Sequence, residues 1–249
     1  MRLANLAGRA ARRVIRRSAG PQSEALRAAI LNLWQEIKAA RVSRHSARKF
    51  AALKGHDGLK VHIGAGDDIR PGWVNIDLAL RIPENFRPEA HPDTVCINHD
   101  LRLGLSLEEG SCDLIYSSHF LEHLEYAHGV RLMRDCHRAL RPGGIFRAAL
   151  PNFRGLFDAY LRGDRKYVEL VDISAVLPEV EPGTETLVDH VNYGIYQHGE
   201  HKCVYDEEKI VLILERIGFS KVSLPGYSPG LDPDSDLRRR YSFYVEAIK

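Results

Sequence analysis

Short apolar or β-branched runs recur from Leu59 onward: Leu59–Ile63, Trp73–Ile76, Thr94–Ile97, Cys112–Ser117 and Ile145–Leu150, ending in Gly, Asp, Ser or Pro. Runs of this length with such ends read as strands. Between the last two, Tyr126–Leu140 places Val130, Leu132, Met133, Cys136, His137 and Leu140 at helical intervals. Glu207–Ile217 is a further helix closed by Gly218, and Lys221–Leu224 and Tyr241–Ala247 follow as two final strands. Strands alternating with helices predict an α/β, doubly wound (Rossmann-like) parallel sheet covered on both faces. The stretch from 152 to 205 mixes aromatic, acidic and His residues without a clear period and reads as irregular.

Ahead of the sheet the pattern is helical. Leu26, Ile30, Leu33, Trp34 and Ile37 recur at threes and fours after Ser23, an N-cap type of residue. Before them Leu3, Leu6, Ala7, Ala10, Val14 and Ile15 lie among Arg2, Arg9, Arg12, Arg13, Arg16 and Arg17. That predicts a basic amphipathic helix stopped by Gly20–Pro21. The chain therefore divides into a basic helical N-terminal extension, 1–58, and a body, 59–249, with 152–205 as an insertion.

Charge sharpens the division. The net charge is +2, yet residues 1–60 hold 14 Lys and Arg against 3 acids, a balance of +11, and the rest of the chain stands at −9. An acidic body gives no reason to expect specific nucleic-acid binding. The extension has three readings: a solvated helix packed on the body, attachment of residues 1–22 to an anionic membrane surface, or an organellar transit peptide. Apolar runs such as Ile210–Leu214 are too short to span a bilayer. Cys96, Cys112, Cys136 and Cys203 form no CxxC pair, which suits a reducing, cytoplasmic compartment, with peripheral membrane contact through the arm as the variant.

Val61-His62-Ile63-Gly64-Ala65-Gly66 is a strand running into a GxG turn, where glycine lets the backbone approach a ligand. By itself the turn is equally a plain loop. Asp67 and Asp68 follow the second glycine and would repel a dinucleotide's pyrophosphate, which disfavours a nicotinamide oxidoreductase. Asp77, at the end of the next strand, can accept both hydroxyls of a ribose. Asp100-Leu101, after the third strand, can hold an exocyclic amine and pack an aromatic base. A positively charged nucleoside without phosphates fits this set.

The order IGAG, WVNID, HDL, CDLIYSSHFLEHL, ALRPGGIFRAALP and LERIGFSKV resembles a class I S-adenosylmethionine-dependent methyltransferase of the type 11 kind. The resemblance covers roughly 59–151, with weaker matching from 200 onward. It implies seven strands with the last antiparallel, and S-adenosylmethionine as cofactor. It also implies methionine contacts at Gly64, Ala65 and Gly66, ribose contacts at Asp77, adenine contacts at Asp100 and Leu101, and Ser117 and Ser118 bordering cofactor and acceptor. One position departs from the pattern: many relatives have an acid where this chain has His62. A neutral His62 could still hydrogen-bond in the cofactor pocket, whereas a protonated one would oppose a sulfonium, and a non-catalytic binding module on the same fold is the alternative this raises.

A hydroxyl acceptor needs a base, and His119, His123 and His201 are the candidates, the first two because the resemblance puts them near the cofactor. The polar 152–205 insertion suggests a hydrophilic acceptor, and the resemblance implies a small molecule or glycan, as in polysaccharide biosynthesis. His119-x-x-Glu122-His123 also matches the inverted zincin pattern H-x-x-E-H. It follows a strand end where the resembling family carries a Glu-His-Leu turn, so no metal is assigned.

Overall fold

The computed structural model describes residues 21–249 except 85, 172 and 174–185. The basic helix expected within residues 1–19 lies outside the described residues. Seven strands form one sheet: β1 (Leu59–Ile63), β2 (Val74–Asp77), β3 (Val95–Asn98), β4 (Cys112–Ser118), β5 (Leu140–Pro151), β6 (Lys221–Ser223) and β7 (Ser242–Ile248). Their order is β3-β2-β1-β4-β5-β7-β6. The first five pair in parallel, and β7 runs antiparallel to both β5 and β6. This is the doubly wound, Rossmann-like sheet with an antiparallel last strand that the sequence led us to expect.

The central strands are apolar because they are covered on both faces. Val61, Ile63, Ile115, Phe146 and Ala148 are fully buried, and Leu132, Met133, Cys136 and Ala139 of the helix Tyr126–Ala139 close over them. Each large aliphatic side chain so buried contributes about 1.5–3 kcal/mol of transfer free energy. Glu207–Ile217 adds Ile210, Ile213 and Leu214 to the same core.

The N-terminal helix runs much further than the Leu26–Ile37 pattern indicated, over Pro21–Ala52. Its packed side also lies further along. Leu33 and Ile37 are 61% and 44% exposed, whereas Ala39, Ser46, Phe50 and Leu53 just beyond the helix end are buried. Phe50 and Leu53 join the main core. Near the end of β3 the helix is held by polar contacts. Ser46 Oγ lies 2.8 Å from His99 Nδ1, and Lys49 Nζ donates to the Cys96 carbonyl (2.5 Å). Arg102 donates to both carboxyl oxygens of Glu36 (2.7 and 2.9 Å).

The segment read as irregular contains helices at Phe153–Arg162, Arg165–Val168 and Leu187–Tyr196. Phe153, Leu156 and Ala159 keep a helical spacing and pack with Val168, Val191 and Tyr241 into a second core. Local signals mark each start. Asn152 accepts from the Gly155 amide, Asp164 from the Tyr167 amide, and Thr186 and Asp189 form a capping box. Between β1 and β2 the connection is short and contains turns but no helix.

One charged side chain lies inside the sheet. Arg147 of β5 is 2% exposed and donates to both carboxyl oxygens of Asp232 (3.1 and 2.5 Å), to Glu246 (3.3 Å) and to the Gly226 carbonyl (2.9 Å). This pairing ties the loop 226–232 to the sheet. Removing one partner leaves a buried charge uncompensated. Asp232→Ala is therefore expected to cost about 3–5 kcal/mol, and Asp113→Ala, which breaks the exposed pair with Arg141, less than about 1 kcal/mol. Urea unfolding of the two variants beside the parent chain checks the contrast.

Candidate active site

The GxG turn leaves β1 at the carboxyl edge of the sheet. The Gly64 and Ala65 amides both donate to the Ile76 carbonyl (2.9 and 3.2 Å), which locks the turn to β2. The Gly66 amide donates to Asp77 Oδ2 (3.1 Å) and the Ala79 amide to Asp77 Oδ1 (2.8 Å). Asp77 is half-buried, so each oxygen keeps accepting capacity toward solvent. Gly64 and Gly66 have left-handed φ of 69° and 53°. The reasons for glycine differ at the two positions. A Cβ on Gly64 would fall 2.1 Å from Phe120 Cγ, whereas a Cβ on Gly66 would meet nothing within 4 Å. The turn is thus packed by protein at Gly64 and open at Gly66, beside Asp77.

Ser117 pairs with Ile63 of β1 and Ala148 of β5, and its hydroxyl is buried with no partner among the described residues. Ser118 follows it, half-buried, opposite Ala149. Gly64, Ala65, Gly66, Asp77, Ser117 and Ser118 therefore stand together at one edge, and they fit a ligand that offers hydroxyls and a donor or acceptor for Ser117. Asp100 and Leu101 follow β3 on the same edge, but the Asp100 carboxylate is already engaged. It accepts from the Arg102 amide (3.0 Å) and from Arg102 Nε and Nη2 (3.0 and 2.7 Å). These contacts hold its carboxyl below the usual range against the opposing effect of burial. Leu101 is buried beneath it. An amine contact at Asp100 requires Arg102 to yield.

His62 is 1% exposed; its Nδ1–H donates to the Asp68 carbonyl (3.1 Å), and Nε2 has no hydrogen-bond partner among the described residues. Burial, reinforced by Arg70, lowers its pKa to about 4. The imidazole is neutral near pH 7 and brings no positive charge to the turn. Asp68 pairs with Arg70 (3.1 Å), which also covers the Tyr116 ring.

Beyond the end of β4 lies a cleft of ≈ 200 Å³, lined by His119, Glu122, His123, Tyr193, His201 and Arg238 among others. The three candidate histidines come together here, although 78 positions separate His123 from His201. His119 takes a left-handed φ of 47°, uncommon for a residue with a side chain. Its Nε2 lies 2.8 Å from Ser242 Oγ and its Nδ1 3.7 Å from Glu122 Oε1. The His123 and His201 rings meet edge to face, 4.9 Å apart. The His201 Nδ1–H donates to the Gly194 carbonyl (2.8 Å), and the Lys202 and Cys203 amides donate to the Glu122 carbonyl (2.7 and 3.1 Å). Burial pushes the Glu122 carboxyl up to about 8 and lowers all three histidines.

The H-x-x-E-H residues do not share an α-helical face. They run from the strand end through a single 3₁₀ turn, Leu121–His123. Sequence reasoning missed Arg238, which enters the cleft from the short helix Asp236–Tyr241 and was legible as an Arg run after the N-cap Ser235. Tyr193 and Gly194 reach the cleft from Leu187–Tyr196, in the insertion expected on the acceptor side.

Residues 73–148 match the model of a methyltransferase domain. The resemblance read from the sequence is borne out. Among curated proteins no sequence matches. Solved structures similar to this chain include a SAM-dependent methyltransferase from Archaeoglobus fulgidus, 16% identical, covering 86% of this chain and 94% of its own, with a TM-score of 0.45. An S-adenosylmethionine-dependent methyltransferase from Mesorhizobium loti is 20% identical, covering 81% and 96%, at 0.44. The phosphoethanolamine N-methyltransferase 2 of Haemonchus contortus, in complex with S-adenosyl-L-methionine, is 12% identical at 0.46; 82% of this chain is covered but only 51% of that enzyme. In this fold the glycine turn and the cleft are neighbours, since Phe120 packs on Gly64 and Glu122 follows two residues later.

The neutrality of His62 makes a stability prediction. A base whose folded pKa is lowered from 6.5 to about 4 withdraws stability as pH falls from 6.5 through 4. The groups facing it are Asp68, Arg70 and Tyr116. Across that window the parent chain should lose on the order of 3 kcal/mol more than His62→Gln. Equal pH slopes in urea unfolding of the two proteins would reject it.

Proposed function

We propose that this chain is an S-adenosylmethionine-dependent methyltransferase that O-methylates a small polar or glycan acceptor held in the cleft. The observation that carries the reading is adjacency. An open glycine turn with Asp77 beside it stands next to a cleft rich in histidine, at the carboxyl edge where such sheets bind ligands. When bound, the cofactor supplies an activated methyl group on a sulfonium.

The chain's own residues bind, orient and take a proton. Asp77 accepts from ribose hydroxyls while it continues to hold the Gly66 amide. Ser117 offers a buried hydroxyl toward the same ligand. Tyr193 and Arg238 line the acceptor side, and a histidine of the set His119, His123 and His201 receives the hydroxyl proton. The neutral His62 removes the charge conflict that favoured a non-catalytic module. Asp68, turned to Arg70, still stands beside the turn and disfavours a pyrophosphate.

Isothermal titration of the full chain with S-adenosylmethionine is the first test. Binding should weaken about 10- to 100-fold in Asp77→Ala, the loss of a charged hydrogen-bond acceptor worth about 1.5–3 kcal/mol. Treating a cell extract with labelled cofactor and identifying the product by mass should then reveal a methylated hydroxyl compound. No binding at millimolar cofactor, or tighter binding of NAD, would overturn the reading.

A further inference from the structure

Glu122 is the least compensated group in the cleft. Its side chain is 1% exposed, and neither carboxyl oxygen has a hydrogen-bond partner among the described residues. Such burial is costly unless something pairs with the group. Ligand-capable atoms of Glu122, His123 and His201 lie within 4.8 Å of one another. The tautomer of His201 is set from behind: Nδ1–H donates to the Gly194 carbonyl, which leaves the Nε2 lone pair free. His119 plays a supporting part toward Glu122, with one ring nitrogen on Ser242 and the other 3.7 Å from Oε1.

We propose that Glu122, His123 and His201 bind a divalent transition-metal ion such as Zn²⁺, with a coordination position left open to the cleft. Two imidazoles and one carboxylate are a donor set that first-row divalent ions favour, and three protein ligands leave room for a fourth. Bonds of ~2.0–2.1 Å put neighbouring ligand atoms roughly 3.4 Å apart. A closure of up to about 1.4 Å from the 4.8 Å limit, within reach of side-chain rotation, completes the set. The third ligand is His201, so the site differs from the helical H-x-x-E-H arrangement, in which His119 would ligate.

The metal site stands on geometry alone; its use rests on the methyltransferase reading. There, the open position and the Arg238 guanidinium share one cleft and favour an acceptor that brings an ionisable oxygen. His119 is then the histidine left to take the proton.

The full chain, stripped by chelator, is titrated with ZnCl₂ and separately with Co²⁺. One equivalent of Zn²⁺ should bind, and the Co²⁺ form should show d–d bands without thiolate charge transfer. His201→Ala and Glu122→Gln should each weaken Zn²⁺ binding by roughly 100-fold or more, while Cys203→Ser leaves it unchanged. Circular dichroism confirms folding, and His123→Gln, expected to weaken binding similarly, replaces any variant that fails to fold. Zn²⁺ binding no tighter than millimolar, or binding that survives His201→Ala and is lost in Cys203→Ser, overturns the proposal. Titrating the same preparations with S-adenosylmethionine separates the two readings. Metal bound without cofactor keeps the site and removes the methyltransferase assignment; cofactor bound without metal does the reverse.

Discussion

Because β1, β4 and β5 are buried on both faces, a polar side chain on them must be bonded in place or sit where the strand ends. Most of the chemistry follows from that constraint. Ser117, His119 and Glu122 come in succession as β4 leaves the core, and Gly64 to Gly66 as β1 does. Asp77 and Asp100 do so for β2 and β3. Arg147 shows what a charge inside the sheet requires. Held inside the sheet, it requires Asp232, Glu246 and a backbone carbonyl around it, and these contacts anchor the 226–232 loop.

The same constraint explains what could be read from the sequence. Strands buried on both faces appear as unbroken apolar runs with abrupt polar ends, so VNID and CDLIYSS show both their extent and their functional ends. The residues at those ends that act through local backbone, such as Asp77 on Gly66, were legible for the same reason. The helices of 153–196 were hidden because they bury narrow faces against each other. Phe153, Leu156 and Ala159 keep helical spacing, but aromatic and charged neighbours fill the exposed positions. The meeting of His201 with Glu122 and His123 is a long-range contact. It is closed by amides of 202 and 203 on the Glu122 carbonyl, and nothing in local spacing marks it.

Charge partition looks different with the contacts in place. The basic N-terminal segment and the acidic body suggested two separable parts, yet Arg102 bridges them by gripping Asp100 with one side of its guanidinium and Glu36 with the other. The helix carrying Glu36 thereby influences the carboxylate that the resemblance gives to adenine. A sequence reading gives Asp100 to a ligand because of its place after β3. The structure adds a competitor two residues away whose hold depends on the N-terminal helix.

Segment 117–123 joins the two halves of the site. Ser117 belongs to the sheet beside the glycine turn, Phe120 covers Gly64, and Glu122 and His123 face the cleft. Side chains of a continuing strand would alternate between its faces and could not divide the work this way. His119, with φ at 47°, breaks the strand and redirects the chain into the 3₁₀ turn. Strain of this kind, on the order of 1–3 kcal/mol, persists only where surrounding contacts over-determine it. Here the amide of His119 donates to the Ala149 carbonyl and its ring is fixed by Ser242. The backbone that spends this energy is the one that sets a buried carboxylate beside two imidazoles, one turn of chain away from the glycines.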